Sequence, residues 1–279
     1  METIEHLTAR LDSLRDLQSV VGTMKALAAV SIHQFEEAVA ALRDYHATVE
    51  RGLEAIMTSL PPQPPARPSP GPSAVIVFGT DHGLCGRFNE EAVDAAPAAD
   101  RRIAVGLRAA ALLAERGELD AELGIPGAVP RIAGLVNDLL DRVEAWQAAG
   151  VAAVDLVYNR QMTTARYEPV VARLLPVDLP RFRLSRWQNR SLPGWREPTA
   201  TVLSGLLRQY FFVALYRACG ESLAAENGSR LAAMQAAESN LAEHLETLTG
   251  EYRRARQDRI TAELLDVVTG YEAMGGEDA

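Results

Sequence analysis

A chain of 279 residues with a net charge of −9 lacks the basic surface that a general nucleic-acid binder needs. Two cysteines, Cys85 and Cys219, are too few for a disulfide scaffold or a cysteine-based zinc site, so reduced thiols are expected. Lys25 is the single lysine among many arginines, which fits a GC-rich coding sequence better than a demand for forked contacts.

The opening METIEHLTARLDSL is acidic and helical, with no signal-peptide core. Residues 3–60 contain no proline and carry an apolar stripe: Ile4, Leu7, Leu11, Leu14, Leu17, Val21, Met24, Leu27, Ala28, Phe35, Val39, Leu42, Val49, Leu53 and Ile56. That spacing predicts a long amphipathic helix over 1–60. PPQPPARPSPGP at 61–72 denies backbone donors and blocks helix, so it is expected to be a stiff linker and a domain boundary.

An α/β head is expected over 73–180. AVIVF (74–78), RRIAVG (101–106) and VAAVDLVYN (151–159) read as buried strands, and TARYEPVVARLLPV (164–177) as an edge strand. Helical spacing falls at 107–116 and at 131–149, the latter through Ile132, Leu135, Leu139, Leu140, Val143 and Trp146. Alternating strands and helices imply an open, mainly parallel sheet. Residues 181–198, with Trp187 and Trp195 among arginines, are expected to be an extended arm that packs its aromatics on a neighbouring surface. Residues 199–279 form the last domain, in which 199–271 run without proline and repeat small or apolar residues at helical spacing from Leu231 to Tyr271. At about 1.5 Å per residue such a helix would reach roughly 100 Å if unbroken, and it needs a partner along its length. The N-terminal helix is that partner. The apolar run LLRQYFFVALYRACG carries Arg208 and Arg217 and is too short to span a bilayer. The fold expected is therefore α plus α/β: an antiparallel coiled coil of the two chain ends with a small Rossmann-like domain inserted.

Chemistry is sparse. GTDHGLCGRFN (79–89) follows a strand, yet it matches neither glycine-rich phosphate fingerprint. Asp81, His82 and Cys85 offer a Cys/His pair on paper, but a structural turn is the better reading. His6, His33, His46 and His244 are scattered, and Glu36/Glu37 and Glu90/Glu91 read as solvated helix surface. RRARQDR (253–259) is either a solvated flank or a contact for an acidic partner loop.

Three stretches together resemble the γ subunit of rotary F-type ATP synthases. GTDHGLCGRFN is similar to the family's S-D-R-G-L-C-G-x-F-N turn at Asp81, Gly83, Leu84, Cys85, Gly86, Phe88 and Asn89. VYNRQMTTARYEPVVARLLPV resembles its Y-N-x-F…L-L-P pattern at Tyr158, Asn159, Leu174, Leu175 and Pro176. The C-terminal segments RLAAMQAAESN and YRRARQDRITAELLDVVTG resemble the family at Arg230, Ala233, Met234, Ala237, Asn240, Tyr252, Arg256, Gln257, Ile260, Thr261, Glu263, Val268 and Gly270. Departures are Val21-Gly22-Thr23, where the family usually has a threonine-lysine pair, and Arg87, where it usually has glycine.

The resemblance implies a central-stalk rotor that couples ion flow through a c-subunit ring to ATP synthesis or hydrolysis at β subunits. It implies no catalytic, cofactor-binding or metal residue of its own. Its partners would be the α3β3 hexamer of F1, an ε-type subunit and the c ring. Its place would be the cytoplasmic face of a bacterial inner membrane, held there through the complex. Met24 and Lys25, and Arg256 and Gln257, are the expected partner contacts. The alternatives are a γ subunit of a Na⁺-translocating N-type ATPase, a nucleotide-handling α/β enzyme, and a coiled-coil scaffold with no rotary role.

Overall fold

The computed structural model of the chain describes residues 3–61, 71–163, 166–183, 191 and 193–275. Most of the expected linker (62–70) and of the arm (184–190 and 192, including Trp187) lies outside the described residues. The chain forms two compact units, Met1–Leu27 with Ala233–Ala279, and Ala28–Ala232.

The first unit is built from the start of helix α1 (Ile4–Ala41) and the end of helix α6 (Thr199–Gly275). Lys25 Nζ meets Glu238 Oε2 at 2.6 Å, and Arg259 Nη1 meets Glu5 Oε1 at 3.1 Å. As one number falls the other rises, which makes the pair antiparallel. Leu7, Leu11 and Leu248 are buried between them, with Leu14, Leu245, Tyr252 and Ala255 packed alongside. This seam is thin. Removing one of its three buried leucines, as in Leu248→Ala, is expected to cost about 2 kcal/mol, the low end for a buried leucine because two helices can close part of the void. Faster hydrogen exchange across residues 3–27 would report the loss, and unchanged exchange would contradict it.

The expected stripe is only partly covered. Leu17 and Leu27 on α1, and Ile260, Leu264 and Val267 on α6, are exposed. On α6 these residues lie beyond Arg259, which meets Glu5 in the first turn of α1.

The second unit has three layers. Strands β1 (Ser73–Phe78), β2 (Arg101–Val105), β3 (Ala121–Leu123), β4 (Ala153–Thr163) and β5 (Arg166–Leu175) form one sheet in the order β3-β2-β1-β4-β5. β1 pairs in parallel with β2 and β4, β2 with β3, and β5 closes the edge antiparallel to β4. Alternation sends Ala74, Ile76 and Phe78 to one face, where they meet α5 (Val129–Ala148) and α6 through Ile132, Leu139, Leu215 and Leu223. Val75 and Val77 go to the other face, under α3 (Phe88–Ala95) and α4 (Leu107–Ala114) through Ala92, Val93, Ala109 and Leu113. Both faces are therefore dry, which is why these strands read as unbroken apolar runs rather than alternating ones.

β3 was not expected, and α3 was expected only as helix surface at Glu90 and Glu91, without bounds. β3 is three residues long with Glu122 exposed at its centre, too short to give a period. α3 opens inside the glycine-rich turn with no side-chain cap. The N-terminal segment also differs, because α1 ends at Ala41 and α2 (Arg43–Ser59) follows after a single turn residue. Leu42 keeps helical angles (φ −80°, ψ −8°) while its N–H bonds Val39 O, a local tightening that needs neither glycine nor proline. α2 buries Val49, Leu53 and Met57 against Phe182 of a 3₁₀ turn, Leu179–Phe182. Arg183 then ties the chain back by donating to the Met57 and Leu60 carbonyls. Trp195 donates to the Thr199 hydroxyl at 3.1 Å, at the start of α6.

Candidate functional site

The turn after β1 is the most structured polar feature of the second unit. Thr80 and Asn89 are fully or nearly buried and bind each other twice: Thr80 N–H donates to Asn89 Oδ1 and Asn89 Nδ2 donates to Thr80 Oγ1, both at 2.9 Å. The Thr80 hydroxyl donates to the His82 carbonyl at 2.7 Å. Asp81 accepts from the backbone N–H groups of Leu107 and Ile125, so one carboxylate holds the start of α4 and the loop after β3. Asn159 on β4 donates to the Phe88 carbonyl at 2.8 Å. Leu84 and Gly86 take positive φ, 65° and 62°, which turns the chain so that Cys85 points inward.

Cys85 packs with Phe88, Ala225 and Tyr167. Burial pushes its thiol up, against the pull of the Thr80 hydroxyl, so it is a poor nucleophile at neutral pH. Its sulfur faces the carbonyl of His82 at 3.8 Å. At the carboxyl end of β1, where open α/β sheets bind ligands, Thr80, Asp81 and Asn89 are engaged in bonds within the turn and to its neighbours.

α6 meets this turn with polar groups. Ser229 Oγ donates to the Cys85 carbonyl at 2.7 Å. Arg230 Nη2 donates to Glu226 Oε1 at 2.6 Å, with Glu226 almost wholly buried. Burial raises the Glu226 carboxyl above the ordinary carboxylate range, while Arg230 pulls it down, Asp81 adds to the rise and His82 opposes it. Sequence spacing did not single out Glu226 or Ser229. The available signal was polar residues at 226, 227, 229 and 230 inside an otherwise small and apolar helical run.

The four expected partner contacts all lie in the first unit. Lys25 is half-buried and already paired with Glu238, so its charge is held within the chain. Met24 is half-buried beside it. Arg256 and Gln257 are exposed on α6, and the Gln257 carbonyl accepts from the Thr261 hydroxyl at 2.9 Å. Among the described residues no group of histidine, cysteine, aspartate and glutamate side chains is placed to hold a metal, and no helix is long and apolar enough to cross a membrane.

The family model described as ATP synthase matches residues 3–274. The chain is 31% identical to the ATP synthase gamma chain of Moorella thermoacetica over 98% of its own length and 100% of that protein. It is 30% identical to that of Pelotomaculum thermopropionicum, with the same two coverages. Against that of Salinibacter ruber it is 29% identical, covering 98% of this chain and 99% of the relative. Among solved structures it is similar to a chain of the Euglena gracilis mitochondrial ATP synthase OSCP/F1/c-ring assembly, with a TM-score of 0.70 at 16% identity over 99% and 96% of the two chains. A chain of the Tetrahymena thermophila mitochondrial ATP synthase central stalk and c-ring gives 0.57 at 20% identity, covering 78% of this chain and 99% of that one. A family model matched over residues 3–274, relatives at 30% and 31% identity over 98% of the chain, and an inserted mixed sheet between long terminal helices agree: this chain belongs to the ATP synthase γ-chain family and is a non-catalytic subunit.

Proposed function

We propose that this γ chain is the central-stalk rotor of an F-type ATP synthase, turned by a c-subunit ring and biasing the ATP sites of partner β subunits. One observation carries the reading. α6 continues past the start of α1 as a single helix with Ile260, Leu264, Leu265, Val267 and Val268 all exposed, Leu264 at 62% and Val267 at 70%. Exposed apolar residues spread over nearly half the circumference of a helix call for a protein surface against them, and the bore of an α3β3 ring supplies one. A solved assembly that shares the fold contains F1 and a c-ring, and another contains a central stalk and c-ring, which supports the same partners here. An ε-type subunit is the further partner, and the place proposed is the cytoplasmic face of a bacterial inner membrane, reached through the complex; the relatives in sequence are bacterial ATP synthase gamma chains.

On this reading the chain acts by differential contact: an asymmetric shaft meets each β subunit with a different face and shifts its conformational balance. Arg256 and Gln257, exposed one turn before the uncovered segment, contact a β-subunit loop through charge-assisted bonds. Arg256→Ala with Gln257→Ala in the reconstituted complex is expected to lower ATP-driven ion pumping about tenfold, the effect of losing about 1.4 kcal/mol. Unchanged pumping would contradict the assignment of these two residues. The isolated chain is expected neither to bind nor to hydrolyse ATP, and measurable turnover by it would contradict the rotor reading itself.

A further inference from the structure

The contacts between the turn and α6 form one connected polar path. β4 holds the Phe88 carbonyl through Asn159, the Thr80–Asn89 pair holds both ends of the turn, and the Cys85 carbonyl accepts from Ser229 on α6. Arg230, next to Ser229, pairs with Glu226 about one helical turn earlier, and the pair lies near enough to Asp81 and His82 of the same turn for their charges to act on Glu226. Apolar packing around Cys85, Ala225 and Phe88 is non-directional, so it resists separation better than it resists rotation of a helix about its own axis. Hydrogen bonds weaken steeply with misalignment, and in a low-dielectric setting they are both stronger and less forgiving.

We propose that the path from Asn159 through the 79–89 turn to Ser229, backed by the Glu226–Arg230 pair, is a torsional key that fixes the rotational register of α6 against the sheet. Twisting load applied to the sheet is passed through it to the helix. The proposal rests on the rotor reading above. Ser229, Glu226 and Arg230 are positioning residues, since they touch no substrate and act through the turn.

The test compares Ser229→Val with Ser229→Thr, which share a shape and differ in the hydroxyl. In the full-length chain carrying Cys219→Ala, the rate at which a small maleimide modifies Cys85 should rise about tenfold in the valine variant, as expected for one lost hydrogen bond of about 1.4 kcal/mol. In the reconstituted complex, the valine variant should lower the ratio of ions pumped to ATP hydrolysed under an opposing gradient by about twofold or more, with unloaded hydrolysis unchanged. Threonine should restore both readouts. Glu226→Gln, which keeps the volume and removes the charge, provides a second variant and should lower the same ratio. A looser Cys85 with an unchanged loaded ratio in both variants overturns the key, because the contact is then only structural. An equal fall in the threonine variant overturns it as well. Absence of pumping by the wild-type complex would instead count against the rotor reading, so the two failures are distinguishable.

Discussion

Arg230→Ala is expected to remove about 3–5 kcal/mol of stability, because it takes the ion-pair partner from a buried carboxylate. The loss should depend on pH, and its sign is fixed. Burial raises the folded pKa of Glu226 above the ordinary glutamate value of about 4.5, so above that value the folded chain holds a proton that the unfolded chain releases. Stability therefore falls as pH rises from about 4.5 through the folded pKa, and is spared at lower pH. Removing Arg230 takes away the main influence holding that pKa down and widens the window. Urea unfolding of the isolated chain at about pH 5 and about pH 8 should show the larger deficit at the higher pH. Adding Glu226→Gln should recover part of it. A loss below about 1 kcal/mol that is the same at both pH values would place the pair among those that contribute little.

Gly106→Val should be comparably damaging for a steric reason. Gly106 ends β2 with φ +104°, and a Cβ there would lie 2.6 Å from the Thr80 backbone nitrogen and 2.9 Å from the Gly79 carbonyl carbon. The obstructing atoms are backbone, and Gly106 cannot move away without losing its N–H bond to the Leu123 carbonyl at 2.7 Å. A positive φ at a β-branched residue adds about 1–3 kcal/mol to the overlap, so a total of about 4 kcal/mol is expected. Gly134 is the contrast. It lies on the exposed face of α5 with nothing within 4 Å of its Cβ position, and Gly134→Ala should stabilise by about 0.5–1 kcal/mol. Thermal denaturation of the two variants should move in opposite directions. A well-folded Gly106→Val chain would contradict the packing described for the turn.

What the sequence made legible follows from where its signals are strong. β1, β2 and β4 are dry on both faces, so their apolar runs stand out, and α5 repeats its apolar residues over five turns. β3 exists because its neighbour β2 supplies a pairing edge through Ile103, Ala104 and Val105, a cause that lies outside its own three residues. The apolar stripes on α1 and α6 were visible, but periodicity alone does not say what covers them. Leu7 and Leu11 turn inward to Leu248, whereas Leu264 and Val267 have no N-terminal helix beside them. The polar contacts are the least legible part. Lys25 finds Glu238 213 residues away, and Ser229 finds Cys85 144 residues away, so neither partnership leaves a local pattern. Asn89 and Asn159 stood out through family resemblance, and their geometry gives the physical reason: each is a buried amide that fixes the turn.

The rotor account is tested most directly by watching the chain during turnover. A reporter attached through Met162→Cys, at an exposed position near the end of β4, would be followed in the surface-anchored complex as ATP is hydrolysed. The account predicts sustained rotation of the reporter in one direction, halted when ATP is withdrawn. Steady hydrolysis with the reporter stationary relative to the α and β subunits would contradict it.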